Sequence, residues 1–148
     1  MTTQEMAQHL TAPKVKRRGV FVDVQNIFFC IRDKFPNCRV NYQAIKDFFS
    51  TGDALTTFTA FSCVDPENRE QRGFIMRVAF IGYRVVTKPL KRMFDGNIKA
   101  NMDMEMALEI LDQAPFLDEI VIISGDGDFV SLINRLVQMG KHVIVVGP

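Results

Sequence analysis

The chain has 148 residues, 47% hydrophobic and 24% charged, which suits one compact domain with a full core. Its formal net charge of +1 selects no partner, and three cysteines without a C-x-x-C speak against a disulfide framework or a thiolate zinc site. No run is apolar enough to span a bilayer and the N-terminus lacks a signal-peptide core, so a soluble, cytoplasmic protein without membrane contact is expected.

Residues 1–17 are polar and aperiodic and read as an N-terminal arm, basic at its end through Lys14, Lys16 and Arg17, with Arg18 just beyond. Residues 18–148 read as the domain. Val20 to Val24 predicts a buried strand, continued as a helix from Asn26 to Lys34 that Pro36-Asn37 breaks. Tyr42, Ile45, Phe48 and Phe49 recur at helical spacing before Gly52. Leu55 to Val64 is rich in Thr and Phe and predicts a strand. Pro66 is placed to begin a helix running to Gly82, and Tyr83 to Thr87 predicts a short strand.

Pro89 to Lys99 carries Asp95-Gly96 between short β-capable runs, the signal for a hairpin with a type I′ turn. The hairpin is basic through Lys91, Arg92 and Lys99. Met102 to Leu111 predicts a helix, Glu119 to Ser124 a strand, Phe129 to Met139 a helix ending at Gly140, and His142 to Val146 a last strand. Strands alternating with helices predict an α/β domain with a parallel sheet covered on both faces. The expected strand order is 3-2-1-4-5, with room for a covering helix beyond the C-terminal end.

Four acids fall where strands end and helices begin. Ligands in open α/β sheets bind there, outside the carboxyl ends of the strands. Asp23 closes an apolar run, with Asn26 three residues on; its alternative task is a helix cap. Asp103 lies in line with Met106, Ala107, Ile110 and Leu111, so it faces the buried side of its helix. Asp126 and Asp128 alternate with Gly125 and Gly127, which let the backbone turn sharply. Asp128 is the better placed of the two to cap the following helix. Ser124 is a candidate to hydrogen-bond a phosphate or another ligand. Glu105 and Glu109 are expected to face solvent, and Phe28, Phe29, Phe48 and Phe49 to fill the core. If the sheet gathers the acids, they form an oxygen-rich pocket suited to Mg²⁺ or Mn²⁺. Five basic residues from Arg84 to Lys99 face one acid, and no Lys or Arg occurs from Ala100 to Asn134. A basic segment beside an acidic one suits a polyanion held at its phosphates and cut at a metal.

Asp23-Val24-Gln25-Asn26, then Lys99 with Asp103 on the following helix, then Ser124-Gly125-Asp126-Gly127-Asp128-Phe129 together resemble the NYN domain of the PIN-like nuclease superfamily. The resemblance spans nearly the whole chain. It implies a PIN-like three-layer α/β/α sandwich whose acids bind Mg²⁺ or Mn²⁺ and hydrolyse RNA. Matched residue by residue, the site is Asp23, Asn26, Asp103, Asp126 and Asp128. In place of the family's frequent glycine between the lysine and the helix acid stands Ala100-Asn101-Met102.

The functional expectation is a metal-dependent ribonuclease, endonucleolytic in mode. Asp23 and Asp126 hold the main metal, and Asp103 and Asp128 hold a second or orient the water. Lys91, Arg92, Lys99 and the basic end of the arm hold the RNA backbone, single-stranded or structured. Two rivals stand beside it. An aspartyl-phosphate phosphatase wants an acid two residues after its nucleophile, where this chain has Gln25. A non-catalytic RNA-binding or dimerisation module, with a homodimer left open, needs no complete acid set.

Overall fold

Residues 2–4, 15–52 and 54–148 are described by the computed structural model; most of the arm expected over residues 1–17, Lys14 included, lies outside them. The first strand starts earlier than its apolar run, because Arg17 and Arg18 already pair with β2 on one side. β1 is Arg17–Asp23, followed without a loop by α1 (Val24–Lys34), then α2 (Tyr42–Phe49), β2 (Leu55–Val64), α3 (Arg69–Ile81) and β3 (Arg84–Pro89). The hairpin strands β4 (Lys91–Arg92) and β5 (Ile98–Lys99) come next, then α4 (Asp103–Gln113), β6 (Glu119–Ile123), α5 (Val130–Gln138) and β7 (His142–Val146). Short 3₁₀ turns at Ala114–Phe116 and Gly127–Phe129 follow α4 and precede α5.

The main sheet runs β3-β2-β1-β6-β7, every pair parallel. Without the hairpin strands, which form their own antiparallel pair, this is the expected 3-2-1-4-5 order. Alternation along each strand sends side chains to two cores. Phe21, Phe61, Cys63, Ile120 and Ile122 pack under α4 and α5 through Met106, Ile110, Leu132 and Leu136. Val20, Val22, Ala60, Val121 and Ile123 pack on the other face with Ile27, Tyr42, Phe49 and Val78 from α1, α2 and α3. Helices on both faces make the three-layer sandwich.

Local chemistry shifts several boundaries. Pro66 does not begin α3. Asp65 to Asn68 forms a turn closed by Asn68 N–H to the Asp65 carbonyl, and Asn68 Oδ1 then accepts from Gln71 N–H to cap the helix. The hairpin turn is not type I′ either, since Asp95 keeps negative φ and Gly96 alone is left-handed at φ 82°. Five residues, 93–97, close it through Gly96 N–H to the Met93 carbonyl and Met93 N–H to the Asn97 carbonyl. Glu105 and Glu109 are not free solvent-facing acids: Lys88 pairs with the first and Arg84 with the second, tying α4 to β3. Of the four phenylalanines expected in the core, Phe49 is buried, while Phe28, Phe29 and Phe48 are exposed.

Candidate metal centre

The strand order reverses between β1 and β6, since β2 and β3 run outward on one side and β7 on the other. Adjacent crossovers leave in opposite directions there and open a crevice at the strand ends. Both ends carry acids. Asp23 is the last residue of β1, and its Oδ1 accepts the Asn26 N–H at 3.3 Å, capping α1. Its Oδ2 accepts the Ser124 hydroxyl at 3.2 Å, across from β6. Asp23 therefore acts as the cap and still presents a buried carboxylate to the crevice.

A second cross-link lies beside the first. Asn26 Oδ1 accepts the Gly125 N–H at 2.7 Å. The amide oxygen has two lone pairs: the Gly125 N–H takes one, and the Cys30 thiol lies 3.7 Å from the same atom, while the NH₂ end keeps its donors. Ser124, the candidate phosphate contact, makes the next link. It is buried, its hydroxyl donates to Asp23, and its oxygen accepts the Asp126 N–H at 3.1 Å. Both residues position the acids.

Past Ser124 the chain turns through Gly125 into the 3₁₀ turn, where Asp126 Oδ1 accepts the Asp128 N–H at 2.9 Å. Asp126 thus caps the 3₁₀ turn, which begins two residues before the apolar run, while α5 itself starts from Phe129 with no side-chain cap bond, so Asp128 does not cap it. Asp103 arrives from a third element. Burial of Met106 and Ile110 sets the face of α4, and Asp103, one turn earlier on that face, looks into the crevice. Its N–H is held by Asn101 Oδ1 at 2.7 Å. Carboxylate oxygens of Asp103, Asp126 and Asp128 all lie within 4.8 Å of one another. Asp23 is not one of these three; it stands behind them, tied through Ser124 to the backbone of Asp126. The geometry therefore groups Asp126 with Asp103 and Asp128 rather than pairing it with Asp23 alone.

The charges resist this crowding. Burial first, and then the charges of Asp126 and Asp23, push the Asp103 carboxyl up to about 6. Burial also raises Asp23, against the bonds from Asn26 and Ser124, with the Asp126 charge adding to the rise. The crevice thus presents a group of mutually repelling carboxylates whose donors are hard oxygens alone.

Basic groups occupy the rim unevenly. Lys91 is exposed on β4, and Arg92 lies 3.7 Å from Asp65. The side chain of Lys99 lies outside the described part of the structure. Lys88, read from sequence as one more member of a basic run, bridges Glu105 at 2.5 Å and the Asn101 carbonyl at 3.5 Å. It secures the hairpin exit to the first turn of α4. Lys16 and Arg18 are drawn elsewhere, onto Glu119 at the opposite end of the sheet. Glu119 pairs in register with Arg18, five residues before Asp23 along β1, about 17 Å at strand spacing. Lys16 and Arg18 are therefore not part of this rim. Glu119 was missed in the sequence; its one signal was an acid opening an otherwise apolar strand.

Among the described residues no helix is long and apolar enough to cross a membrane. Residues 17–148 match the sequence profile of the NYN domain. The chain is 30% identical over 139 residues to the low amplitude and bright protein LabA of Synechococcus elongatus, covering 88% of this chain and 73% of that protein. A crystal structure of a protein of unknown function from Vibrio parahaemolyticus superposes with a TM-score of 0.82 at 27% identity, covering 93% of this chain and 84% of the other.

Proposed function

The chain belongs to the NYN domain family, a nuclease-type family, and on that premise we propose that it is a divalent-metal-dependent ribonuclease. The observation that carries the reading is the approach of Asp103, Asp126 and Asp128 within 4.8 Å at the switch point, with Asp23 directly behind. Three carboxylates offer oxygen alone, which favours Mg²⁺ or Mn²⁺ over the softer metals that histidine and cysteine select. Asp103, Asp126 and Asp128 would hold the cation, and Asp23 would add charge from the β1 side. When bound, such a cation lowers the pKa of its water and offsets charge building on the phosphate.

The remaining groups position and exclude. Ser124 holds Asp23 and the Asp126 backbone in one register, and Asn26 locks the α1 turn to Gly125. With its oxygen so engaged, Asn26 can turn its NH₂ toward a non-bridging phosphate oxygen. Lys91 and Arg92 attract the RNA backbone without reading sequence. Among the described residues no histidine lies in this crevice; His142 pairs with Glu119 at the far end of the sheet. Activation of the attacking water would therefore rest on the cation rather than on an imidazole base.

The test compares Asp126→Asn, Asp103→Asn and the exposed-face control Asp112→Asn on single-stranded RNA with Mg²⁺ or Mn²⁺. The two site variants are expected to lose activity by on the order of 10² or more, the control to keep it. Equal cleavage by wild type and Asp126→Asn would place the activity elsewhere. RNA binding without cleavage by any of them would favour the non-catalytic RNA-binding module.

A further inference from the structure

We propose that Phe94, at the tip of the β4–β5 hairpin, stacks on an unpaired base and makes the protein select single-stranded over duplex RNA. This rests on the RNA reading above and extends it to a residue the acid site does not include. The Phe94 ring is 114% exposed, as open as in an extended peptide. The turn that presents it is ordered by its own bonds. Met93 N–H reaches the Asn97 carbonyl at 2.8 Å, and Asn97 binds both Asp95 oxygens, at 3.0 Å through its N–H and 2.9 Å through its side chain. The one acid at the tip is thereby turned back into the loop.

The hairpin is also anchored beside the acids. Leu90 N–H donates to the Val64 carbonyl at the end of β2, and Leu90 and Ala100 pack against the core beneath α4 and α5. On the far side Asn101, whose carbonyl Lys88 contacts, accepts through its side chain the N–H of Asp103, the first residue of α4. Phe94 lies four residues beyond Leu90, a reach of at most about 13 Å. The ring therefore serves a base neighbouring the phosphate that a cation on the acids would hold.

Charge decides the partner. Exposed Lys91 and Arg92 lie on the strand leading to the tip, and a cationic stem ending in an aromatic ring suits a strand that offers phosphates and open base faces in alternation. In a duplex the faces are stacked on each other and the ring has nothing to cover. An apolar protein partner would leave those cations to be desolvated.

The experiment measures binding without divalent metal, by fluorescence anisotropy, to one RNA sequence as a single strand and as a duplex. Phe94→Ala is expected to weaken the single strand by on the order of tenfold and to leave the duplex within about twofold. Phe94→Tyr, which keeps the ring, is expected to bind as wild type. Equal losses on both RNAs, no loss, or no RNA binding at all would overturn the inference. So would a shift of oligomeric state in sedimentation on Phe94→Ala, which would make the ring a protein-contact anchor. Because turnover is not read, a protein that never cleaves can still show the Phe94-dependent preference, sinking hydrolysis alone. Cleavage that depends on Asp126 but is indifferent to Phe94 would sink this inference alone.

Discussion

Ser124 Oγ and Asp23 Oδ2, 101 residues apart in sequence, lie 3.2 Å apart where β1 and β6 end side by side. The same hydroxyl oxygen accepts the Asp126 N–H, so one buried atom sets the spacing between the two acidic strand ends.

Ser124→Ala should therefore act on both stability and metal binding. Asp23 would lose a partner inside the protein, at a cost of about 1–3 kcal/mol. Thermal melts should show the loss, and a Mg²⁺ titration followed by melting temperature should show weaker binding. Ser124→Thr, which keeps the hydroxyl, should recover part of the metal response. Unchanged metal binding in Ser124→Ala would mean the acids are spaced without it.

The metal-free protein should respond to pH in a defined direction. Asp103 titrates at about 6 in the fold against 3.8 ordinarily, and Asp23 is displaced the same way. Between those values the folded state holds protons that the unfolded chain has released, so stability is lost as pH rises from about 4 through 6. The melting temperature without metal should be higher at pH 5 than at pH 7, and saturating Mg²⁺ should narrow the gap. Asp103→Asn should flatten the dependence. A metal-free melting temperature that climbs from pH 5 to 7 would contradict the crowding of these acids.

The opposite end of the sheet should give the opposite sign. Glu119 is 2% exposed and meets Lys16, Arg18 and His142. Despite its burial, those partners hold its carboxyl down at about 2 against 4.5 ordinarily. Its contribution is present above about 4.5 and lost as pH falls toward 2. Glu119→Gln should destabilise toward the lower end of about 3–5 kcal/mol, because Lys16 and His142 remain partly hydrated and the amide still accepts a bond. Its acid unfolding should be shallower than that of wild type, which denaturant melts at pH 3 and pH 7 would measure.

Lys91→Ala with Arg92→Ala should lower RNA affinity across sequences and reduce the salt slope by about one to two units. Lys91 should carry the larger share, since Arg92 already faces Asp65. A pair of variants with wild-type affinity and slope would show the hairpin stem to be off the RNA path.

Much of this was legible along the chain because periodicity records local exposure. The alternation in Val20 to Val24, the helical spacing through Met106 and Ile110 and the glycines around Asp126 placed strand, helix and turn. The strand-end position of Asp23 and the inward face of Asp103 followed from them. Partners distant in sequence were not legible. That the Ser124 hydroxyl bonds Asp23, that the Asn26 amide oxygen accepts from Gly125, and that Glu119 gathers Lys16, Arg18 and His142 all depend on which strands adjoin. Sheet order sets those distances, and no local pattern encodes them. The tertiary structure likewise decided that carboxylate oxygens of Asp103, Asp126 and Asp128 come within 4.8 Å of one another, and that Phe28, Phe29 and Phe48 stay exposed. A run of apolar residues reports a preference for burial, but the area on offer is set by the helices and strands that pack against it.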